Sequence, residues 1–291
     1  MAGELKPFPA PAKLNLFLHV TGRRADGYHL LQSVFRFIDH GDTVWLGVRK
    51  DGQVRRLEDI PGVPEEQDLT VRAAKLLQQE TGCPLGADIR LEKRLPMGGG
   101  LGGGSSDAAT VLLALNRLWG LDLPRSRLQE LALQLGADVP VFVFGQSAFA
   151  EGVGEKLAPI VLPPAWYVVL TPPVSVATAV VFAAPELTRN TPPIKIADFL
   201  SGVVRQGFFS CQDGWRNDLQ AVAEKKYPEV ARHLDWLGRF GNARMTGSGA
   251  CVFLAVEDEA GARATLQELP RDMQGFVARG LDRHPLFELA G

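Results

Sequence analysis

The residues with the clearest chemical potential form a glycine-rich stretch near the middle of the chain. Six of the nine residues from 96 to 104 are glycine, and the stretch leads straight into a run with helical periodicity. Backbone without Cβ atoms approaches a ligand closely, and successive N–H groups at a helix N-terminus attract an anion. Serine hydroxyls at the end of the stretch could bind phosphate or a phosphate-bound Mg²⁺. The predicted phosphate loop comprises Pro96, Met97, Gly98, Gly99, Gly100, Leu101, Gly102, Gly103, Gly104, Ser105 and Ser106.

Two common nucleotide-binding motifs fit this stretch less well. The spacing from Gly99 to Gly104 is that of a Walker A loop, but Ser105 stands in place of its lysine. The glycines also match the dinucleotide fingerprint, although residues 92–96 do not form the buried apolar strand that this motif follows. A nucleotide-dependent oxidoreductase therefore stays open as an alternative, as does a non-catalytic module that binds RNA or a nucleotide.

Charged residues suited to phosphoryl transfer lie elsewhere in the chain. Lys13 and Asn15 are two residues apart, so they share one face of a predicted strand. Asp138 follows a predicted helix end at Gly136 and could accept a proton from an attacking hydroxyl. From the residues alone, an aspartate at such a junction is more often a cap or a turn residue.

An aromatic pair, Tyr28 and His29, follows the turn Asp26-Gly27. An exposed tyrosine can stack on a pyrimidine, and a histidine beside it can form a hydrogen bond with the edge of the base. The other histidines show no metal-ligand spacing, and we expect no metal site made by the protein itself.

These residues require a mixture of helices and strands to position them. We expect strands at Ala12–Val20, Val34–Ile38 and Thr43–Val48, with a tight turn at residues 40–42. Asp68 should cap a helix that ends at Gly82. The remaining predicted strands are 87–91, 141–144, 148–151, 166–170, 251–255 and 275–278. The remaining predicted helices are 107–119, capped by Ser105 or Ser106, then 124–136, 196–204, 217–225, 229–240 and 257–268.

The irregular order of helices and strands favours an α+β class over a doubly wound sheet. A proline-broken stretch around 157–165 suggests a boundary between two domains, 1–158 and 159–291. A chain of 291 residues has the length expected for two domains of ordinary size.

The composition is that of an ordinary globular protein. Lys and Arg total 31 against 33 Asp and Glu, for a net charge of -2, which argues against a nucleic-acid partner. Three cysteines, Cys83, Cys211 and Cys251, show no Cys-x-x-Cys spacing, which fits a reducing cytoplasm. The first residues lack the apolar core of a signal peptide. The uncharged segment 157–185 is divided by prolines into pieces too short to cross a bilayer, so we expect no membrane partner.

Four segments in order resemble the GHMP kinases, a superfamily that includes galactokinase, homoserine kinase, mevalonate kinase and phosphomevalonate kinase. The first is Pro11-Ala12-Lys13-Leu14-Asn15-Leu16, and the second is the glycine stretch 96–106. The third is Gly136-Ala137-Asp138-Val139-Pro140, and the fourth is Thr246-Gly247-Ser248-Gly249-Ala250. The resemblance extends over residues 9–280, almost the whole chain.

The resemblance implies a two-domain GHMP kinase fold, with an N-terminal domain like the second domain of ribosomal protein S5 and a C-terminal ferredoxin-like domain. ATP, carrying Mg²⁺, would bind the glycine stretch between the two domains. Asp138 would be the catalytic base and Lys13 its electrostatic partner. The enzyme would be a cytoplasmic monomer or weak homodimer.

Segments 21–29 and 151–155 make the resemblance more specific and imply the acceptor. It would be a small cytidyl diphosphate sugar alcohol, phosphorylated on its 2-hydroxyl in non-mevalonate isoprenoid precursor biosynthesis. Asn15, Tyr28, His29 and Phe182 would bind it, with Phe182 closing the far side of the cytosine ring. Another small-molecule kinase of the superfamily is the alternative. Asp68 departs from the asparagine expected at the adenine contact, and Lys93 would flank the adenine pocket.

Overall fold

The computed structural model describes residues 3–206 and 215–291, and Cys211 lies outside this part. The strands of the described part are β1 (Lys6–Arg23), β2 (His29–Arg49), β3 (Val54–Arg56), β4 (Gly86–Glu92), β5 (Ala148–Glu151), β6 (Lys156–Pro159), β7 (Trp166–Leu170), β8 (Arg244–Met245), β9 (Val252–Val256) and β10 (Gly275–Leu281). Its α-helices are α1 (Leu69–Thr81), α2 (Gly103–Leu118), α3 (Arg125–Leu135), α4 (Val139–Phe144), α5 (Thr178–Ala183), α6 (Ile196–Gln206), α7 (Gln220–Lys226), α8 (Pro228–Leu237) and α9 (Glu259–Gln267). The predicted α+β class is confirmed.

The ten strands form one sheet that runs the length of the molecule. Its main path is β3-β4-β2-β10-β7-β9-β8, with β1 and β5 also paired to β2 and β6 paired to β5. Only β3 and β4 pair in parallel among the described strands. Strand β10 joins the two halves, since it pairs with β2 at Gly280 and Leu281 and with β7 from Gly275 to Arg279.

Strand β2 corrects the prediction of two strands separated by a turn at residues 40–42. It is one strand of 21 residues, and β1 pairs with it across the predicted turn, Gly41 lying opposite Pro11 and Asp42 opposite Ala10. A Cβ atom on Gly41 would lie 2.2 Å from the carbonyl oxygen of Ala10. The glycine therefore permits close approach of the neighbouring strand, and a turn is not formed.

The segment predicted as a strand at 141–144 is instead part of helix α4. All but its last residue are buried, and Gly145 ends it in the left-handed conformation with φ of 73°. A short, wholly buried apolar run does not distinguish a strand from a helix, because neither periodicity is visible in it. Asp138 therefore precedes a helix and not a strand. Helix α5, which was not predicted, lies in an apolar run, and Val181 is the only one of its residues that is buried.

The predicted caps are right for α1 and wrong for α2. The Asp68 side chain accepts a hydrogen bond from Thr70 N at 2.8 Å, and Gly82 ends α1 in the left-handed conformation. Helix α2 begins at Gly103 with Gly102 as its N-cap, so neither serine caps it. The α3 prediction is confirmed, with Pro124 before the helix and Gly136 after it.

Three clusters of buried apolar side chains stabilise this arrangement. One packs helices α1 to α4 on the sheet of the N-terminal half, and a second packs helices α7 to α9 on β7 and β9. The third lies between the halves, where Leu14 and Leu16 of β1 meet Tyr167 and Phe253. Strand β1 is thus buried between the two halves of the molecule, which fixes the side chains it carries. None of the helices in 3–206 or 215–291 is long and apolar enough to span a membrane.

Candidate active site

A cavity of about 360 Å³ lies over the N-terminus of α2 and is lined by most of the predicted phosphate loop. Residues 96–105 of the loop line it, together with Ile60, Val63, Asp68 and Lys93. The first three N–H groups of a helix have no acceptor within it, and here the first bond of α2 is made by Ser106 N to Gly102 O. The amides of residues 103–105 are therefore available to an anion in this cavity.

The loop is held in place from two sides. Lys13 N of β1 donates to Leu101 O at 3.0 Å, and Cys251 N donates to Gly99 O at 3.0 Å. Gly100 has φ of 76°, and a Cβ atom on it would lie 2.2 Å from the carbonyl oxygen of Thr246. The predicted C-terminal glycine segment thus packs directly against the predicted phosphate loop, although 140 residues separate them in the sequence.

The two loop serines are placed differently. Ser105 lines the cavity over the helix N-terminus and also the neighbouring cavity that contains Asp138. Ser106 is fully buried, and its hydroxyl donates to Pro11 O at 2.7 Å. The predicted phosphate-binding hydroxyl of Ser106 is therefore engaged in a contact with β1. Met97 lines the cavity with an exposed side chain.

Lys13 and Asp138 face each other in a second cavity of about 360 Å³. Lys13 Nζ lies 3.5 Å from Asp138 Oδ2, and it also donates to Asn15 Oδ1. The Lys13 side chain is 2% exposed, whereas that of Asp138 is 45% exposed. Asp138 occupies the N-cap position of α4, but its side chain makes no capping hydrogen bond. The carboxylate is thus open to a ligand and held beside a buried ammonium group.

Asn15 connects the centre of this cavity to the surrounding strands. Its side-chain amide donates to Ser33 Oγ at 2.7 Å, and its backbone N–H donates to Thr246 Oγ1 at 2.9 Å. Ser33 in turn donates to Phe17 O at 2.6 Å. These bonds fix the Asn15 oxygen toward Lys13, which positions the ammonium group. Ser33 was not predicted, and Thr246 was identified only as part of the fourth segment, because only the tertiary structure brings these two side chains to Asn15.

A third cavity, of about 590 Å³, extends from the second toward the surface and is lined by aromatic side chains. Tyr28 is 64% exposed at its edge. The His29 and Phe182 rings lie with their centroids 4.9 Å apart at an interplanar angle of 30°. The structure therefore brings together the three predicted aromatic residues, which lie on the β1–β2 turn, on β2 and on α5.

The three cavities are continuous through shared lining residues. Gly100 and Ser105 line both the loop cavity and the Lys13–Asp138 cavity. The Lys13–Asp138 cavity and the aromatic cavity share Leu31, Ala137, Val153, Thr178 and Phe182. An anion at the helix N-terminus, a hydroxyl beside Asp138 and an aromatic base can thus occupy three adjoining cavities. Thr178, whose hydroxyl lies 2.7 Å from that of Ser248, was not identified from the sequence.

A buried charged cluster borders the loop cavity. Lys93 Nζ donates to Asp42 and, at 2.7 Å, to Asp107 Oδ2. Burial raises the pKa of Asp107 to about 7, despite the nearby Lys93 ammonium. Burial lowers the pKa of Lys93, but the two carboxylates outweigh it and the net shift is upward. Two carboxylates therefore share one ammonium, and Asp107 is the one that takes up a proton near neutral pH.

Asp68 makes the hydrogen bonds of a cap and also pairs with Arg56, whose Nη1 lies 3.0 Å from Asp68 Oδ2. It also lines the loop cavity. Cys251 is buried, which raises its pKa to about 12 and makes it unreactive. In the part of the chain that the structure describes, no group of three or more His, Cys, Asp or Glu side chains could hold a metal ion.

Comparison with known proteins agrees with this geometry. Residues 68–146 match the family described as GHMP kinases N terminal domain, and residues 206–275 match GHMP kinases C terminal. A mevalonate kinase structure from Methanococcus jannaschii superposes with a TM-score of 0.67 at 18% identity, over 96% of this chain and 99% of that one, which shows the shared fold. The glycine loop, the Lys13–Asp138 pair and this fold define a GHMP kinase.

The similarity is much higher to one group of these kinases. A 4-diphosphocytidyl-2-C-methyl-D-erythritol kinase from Thiobacillus denitrificans is 69% identical over 97% of both chains. The one from Nitrosospira multiformis is 63% identical over 97% of this chain and 93% of its own. A crystal structure of 4-(cytidine 5'-diphospho)-2C-methyl-D-erythritol kinase superposes with a TM-score of 0.80 at 35% identity, over 94% of this chain and 99% of that one. The chain belongs to the 4-diphosphocytidyl-2-C-methyl-D-erythritol kinase family.

Proposed function

We propose that this protein transfers the γ-phosphoryl group of ATP to the 2-hydroxyl of 4-diphosphocytidyl-2-C-methyl-D-erythritol, a step in isoprenoid precursor biosynthesis. The observation that carries the proposal is the set of three adjoining cavities with Lys13 and Asp138 in the middle one. Relatives named for this activity, at 55–69% identity over nearly the full length, support the choice of acceptor.

The phosphate loop binds ATP in the first cavity. Amides at the N-terminus of α2 contact the phosphates, and Ser105 faces both the nucleotide and the acceptor. The adenine lies toward Asp68 and Lys93. Mg²⁺ would arrive bound to ATP, and the Ser105 hydroxyl and the Asp138 carboxylate are the oxygen groups that would hold it there. When bound, the ion would supply positive charge to neutralise the phosphates.

Asp138 and Lys13 act on the acceptor hydroxyl. The Asp138 carboxylate takes the hydroxyl proton, the hydroxyl oxygen bonds to the γ-phosphorus, and the bond from that phosphorus to the bridging oxygen of ADP breaks. Lys13, whose buried ammonium group lies 3.5 Å from the Asp138 carboxylate, stabilises the negative charge that develops on the hydroxyl oxygen. Asn15 keeps the ammonium group of Lys13 in place.

The aromatic cavity binds the cytosine of the acceptor. Tyr28 stacks on one face of the base and Phe182 closes the other, with His29 at its edge. The cytidine end of the acceptor then lies in the third cavity while its 2-hydroxyl lies beside Asp138.

The test is an ADP-release assay of the purified protein with a panel of acceptors. We expect rapid ADP release with 4-diphosphocytidyl-2-C-methyl-D-erythritol and little with mevalonate, homoserine or galactose. The phosphorylated product is identified by phosphorus NMR, which reports the position of the new phosphate. Faster turnover of one of the other alcohols contradicts the proposal. Absence of turnover with all four acceptors also contradicts it.

A further inference from the structure

One arginine links two walls of the aromatic cavity. Arg189 Nε donates to His29 Nε2 at 3.2 Å. The same guanidinium donates through Nη1 to Leu187 O at 3.1 Å and through Nη2 to Phe182 O and Ala184 O at 2.9 and 2.7 Å. Arg189 therefore ties His29 of β2 to the C-terminal carbonyls of α5, the helix that carries Phe182.

The contact determines the protonation of the His29 ring. A guanidinium has five N–H donors, has no acceptor and stays protonated, so the nitrogen that faces it must be an acceptor. His29 Nε2 is then unprotonated, and the proton of the neutral ring lies on Nδ1. Burial, and then the positive charges of Arg189 and Arg23, lower the pKa of His29, which favours this neutral form. No described residue bonds to Nδ1, so that N–H is available to a ligand.

We infer that Arg189 is a positioning residue that fixes His29 as its Nδ1–H tautomer, so that His29 donates to ring nitrogen N3 of cytosine and discriminates against uracil. The inference rests on the proposed function, because it assumes that the aromatic cavity binds the base of the acceptor. No role in base selection was predicted for Arg189, which lies 160 residues from His29 in the sequence.

The selectivity follows from the chemistry of the two bases. Ring nitrogen N3 of cytosine carries no proton and accepts a hydrogen bond, whereas N3 of uracil carries a proton and donates one. A fixed N–H donor in the cavity forms a hydrogen bond with N3 of cytosine but faces the N3–H group of uracil, which is also a donor. Both donors would then be left unpaired, which weakens binding of uracil. The opposite tautomer, with the proton on Nε2, would present an acceptor and reverse this preference.

The charged groups around His29 leave this assignment intact. Arg23, at the end of β1, donates to Gly27 O at 3.1 Å and does not bond the ring. The Asp26 carboxylate accepts from Tyr28 N at 3.2 Å and pairs with Arg24 at 2.6 Å, so it is engaged within the turn. Among the contacts of the described residues, only Arg189 bonds a ring nitrogen of His29.

The tautomer is tested first, by NMR of protein with ¹⁵N-labelled histidine at neutral pH. The His29→Gln variant identifies the His29 signals by their absence. We expect a neutral ring with its proton on Nδ1 in the wild-type protein, and a mixture of tautomers in Arg189→Met. A proton on Nε2 in the wild-type protein, or a doubly protonated ring, overturns the inference. This measurement needs no turnover, so it stands apart from the acceptor panel.

The second test compares the cytidyl acceptor with its uridyl analogue. At about pH 8, we expect Arg189→Met to raise KM for the cytidyl acceptor by about fivefold, with kcat and the KM for ATP little changed. The preference for cytidyl over uridyl should fall by a similar factor. Loss of the positive charge raises the pKa of His29, and a protonated ring again carries a proton on Nδ1. Lowering the pH to about 6 should therefore bring the KM of the variant for the cytidyl acceptor part of the way back to the wild-type value. The KM of the wild-type enzyme should not change.

Two further variants separate this role from simple support of α5. Arg189→Lys retains a cationic donor, and we expect it to keep most of the base preference. In a His29→Gln background, Arg189→Met should change the preference no further, because the group it positions is gone. Equal KM increases for both bases at both pH values indicate a purely structural role and overturn the inference. Melting temperatures of all variants check that they fold.

Discussion

Asp138 is the residue whose chemistry can be tested most directly. We expect Asp138→Asn to lower kcat by about 10²–10⁴-fold, since the amide cannot take the hydroxyl proton. ATP binding should be little changed, because the proposed contacts with ATP are made by backbone amides of the phosphate loop, which lies 30 residues or more from Asp138 in the sequence. Steady-state kinetics and calorimetry of ATP binding measure the two effects.

The matched control is Asp122→Asn, an exposed aspartate with φ of 49° that lines none of the three cavities. It should behave as the wild-type enzyme. Turnover near the wild-type rate in Asp138→Asn would remove the proposed base from the mechanism.

Asp107 gives the protein a specific dependence on pH. Its pKa of about 7 lies above the value of about 4 in an unfolded chain, so the folded state holds a proton that the unfolded state loses. This stabilisation is complete below about pH 4 and is lost as the pH rises through about 7.

As the pH rises from about 5 to about 8, we expect the urea midpoint of the wild-type protein to decrease. The corresponding loss in the free energy of unfolding is on the order of 1 kcal/mol or more. Asp107→Asn, which resembles the protonated carboxyl, should have a flatter profile. Parallel profiles for the two proteins would show that Asp107 does not titrate in this range.

Individual site residues could be predicted from the sequence only where they lie in a recognisable motif. Lys13, Asp138 and the glycine loop are recognisable because each lies in a short segment with its own pattern. Asp42 and Asp107 could not be paired with Lys93 from the sequence, because they lie 51 and 14 residues from it and share no pattern. Arg189 and Thr178 lie in a segment that reads as apolar or irregular, so their roles depend on the tertiary structure alone.

At the scale of elements, the phosphate loop depends on glycine at particular positions. We expect Gly100→Ala to destabilise the fold by at least about 1–3 kcal/mol, because the residue has a positive φ and faces backbone. It should also raise the KM for ATP, since Thr246 and the loop must move apart.

Gly104→Ala is the control. It lies within α2 with the nearest atom 3.7 Å from a Cβ, so stability should be unchanged or rise by about 0.5–1 kcal/mol. Equal thermal stability of Gly100→Ala and wild type would contradict the close packing.

The elements themselves were predictable where propensity and tertiary structure agree. Helix α1 has a cap, an apolar stripe and a terminal glycine, and its bounds were close to those predicted. Two of the errors are a buried helix predicted as a strand, α4, and a glycine predicted to lie in a turn, Gly41. In both cases contacts with neighbouring elements decided the outcome, and local sequence does not record such contacts.

At the scale of the whole molecule, nucleotide binding should stabilise the fold. We expect a non-hydrolysable ATP analogue at about 100 times its Kd to stabilise the protein by about 2.7 kcal/mol, which raises Tm by about 5 °C or more. Nicotinamide cofactors should leave Tm unchanged, which separates the kinase from the oxidoreductase considered from the sequence. A shift with NAD as large as that with the ATP analogue would contradict the assignment of the loop cavity.

The cavity of Lys13 and Asp138 and the aromatic cavity are lined by residues from both halves of the chain. We propose that the boundary between the two domains lies near residues 158 and 159, at the end of β6. Strand β10 bridges this boundary through its pairing with both β2 and β7. The relative position of the halves therefore depends on sheet hydrogen bonds as well as on side-chain packing.

Strand β2 carries both His29, in the aromatic cavity, and Ser33, in the cavity of Lys13 and Asp138. An extended strand rises by about 3.3 Å per residue, so these two positions are held about 13 Å apart. In the proposed function, the strand therefore sets the distance between the bound base and the reacting oxygen. We expect acceptors to be selected by length as well as by chemistry, so that an alcohol joined to cytidine through one phosphate instead of two does not reach the carboxylate when its base is bound.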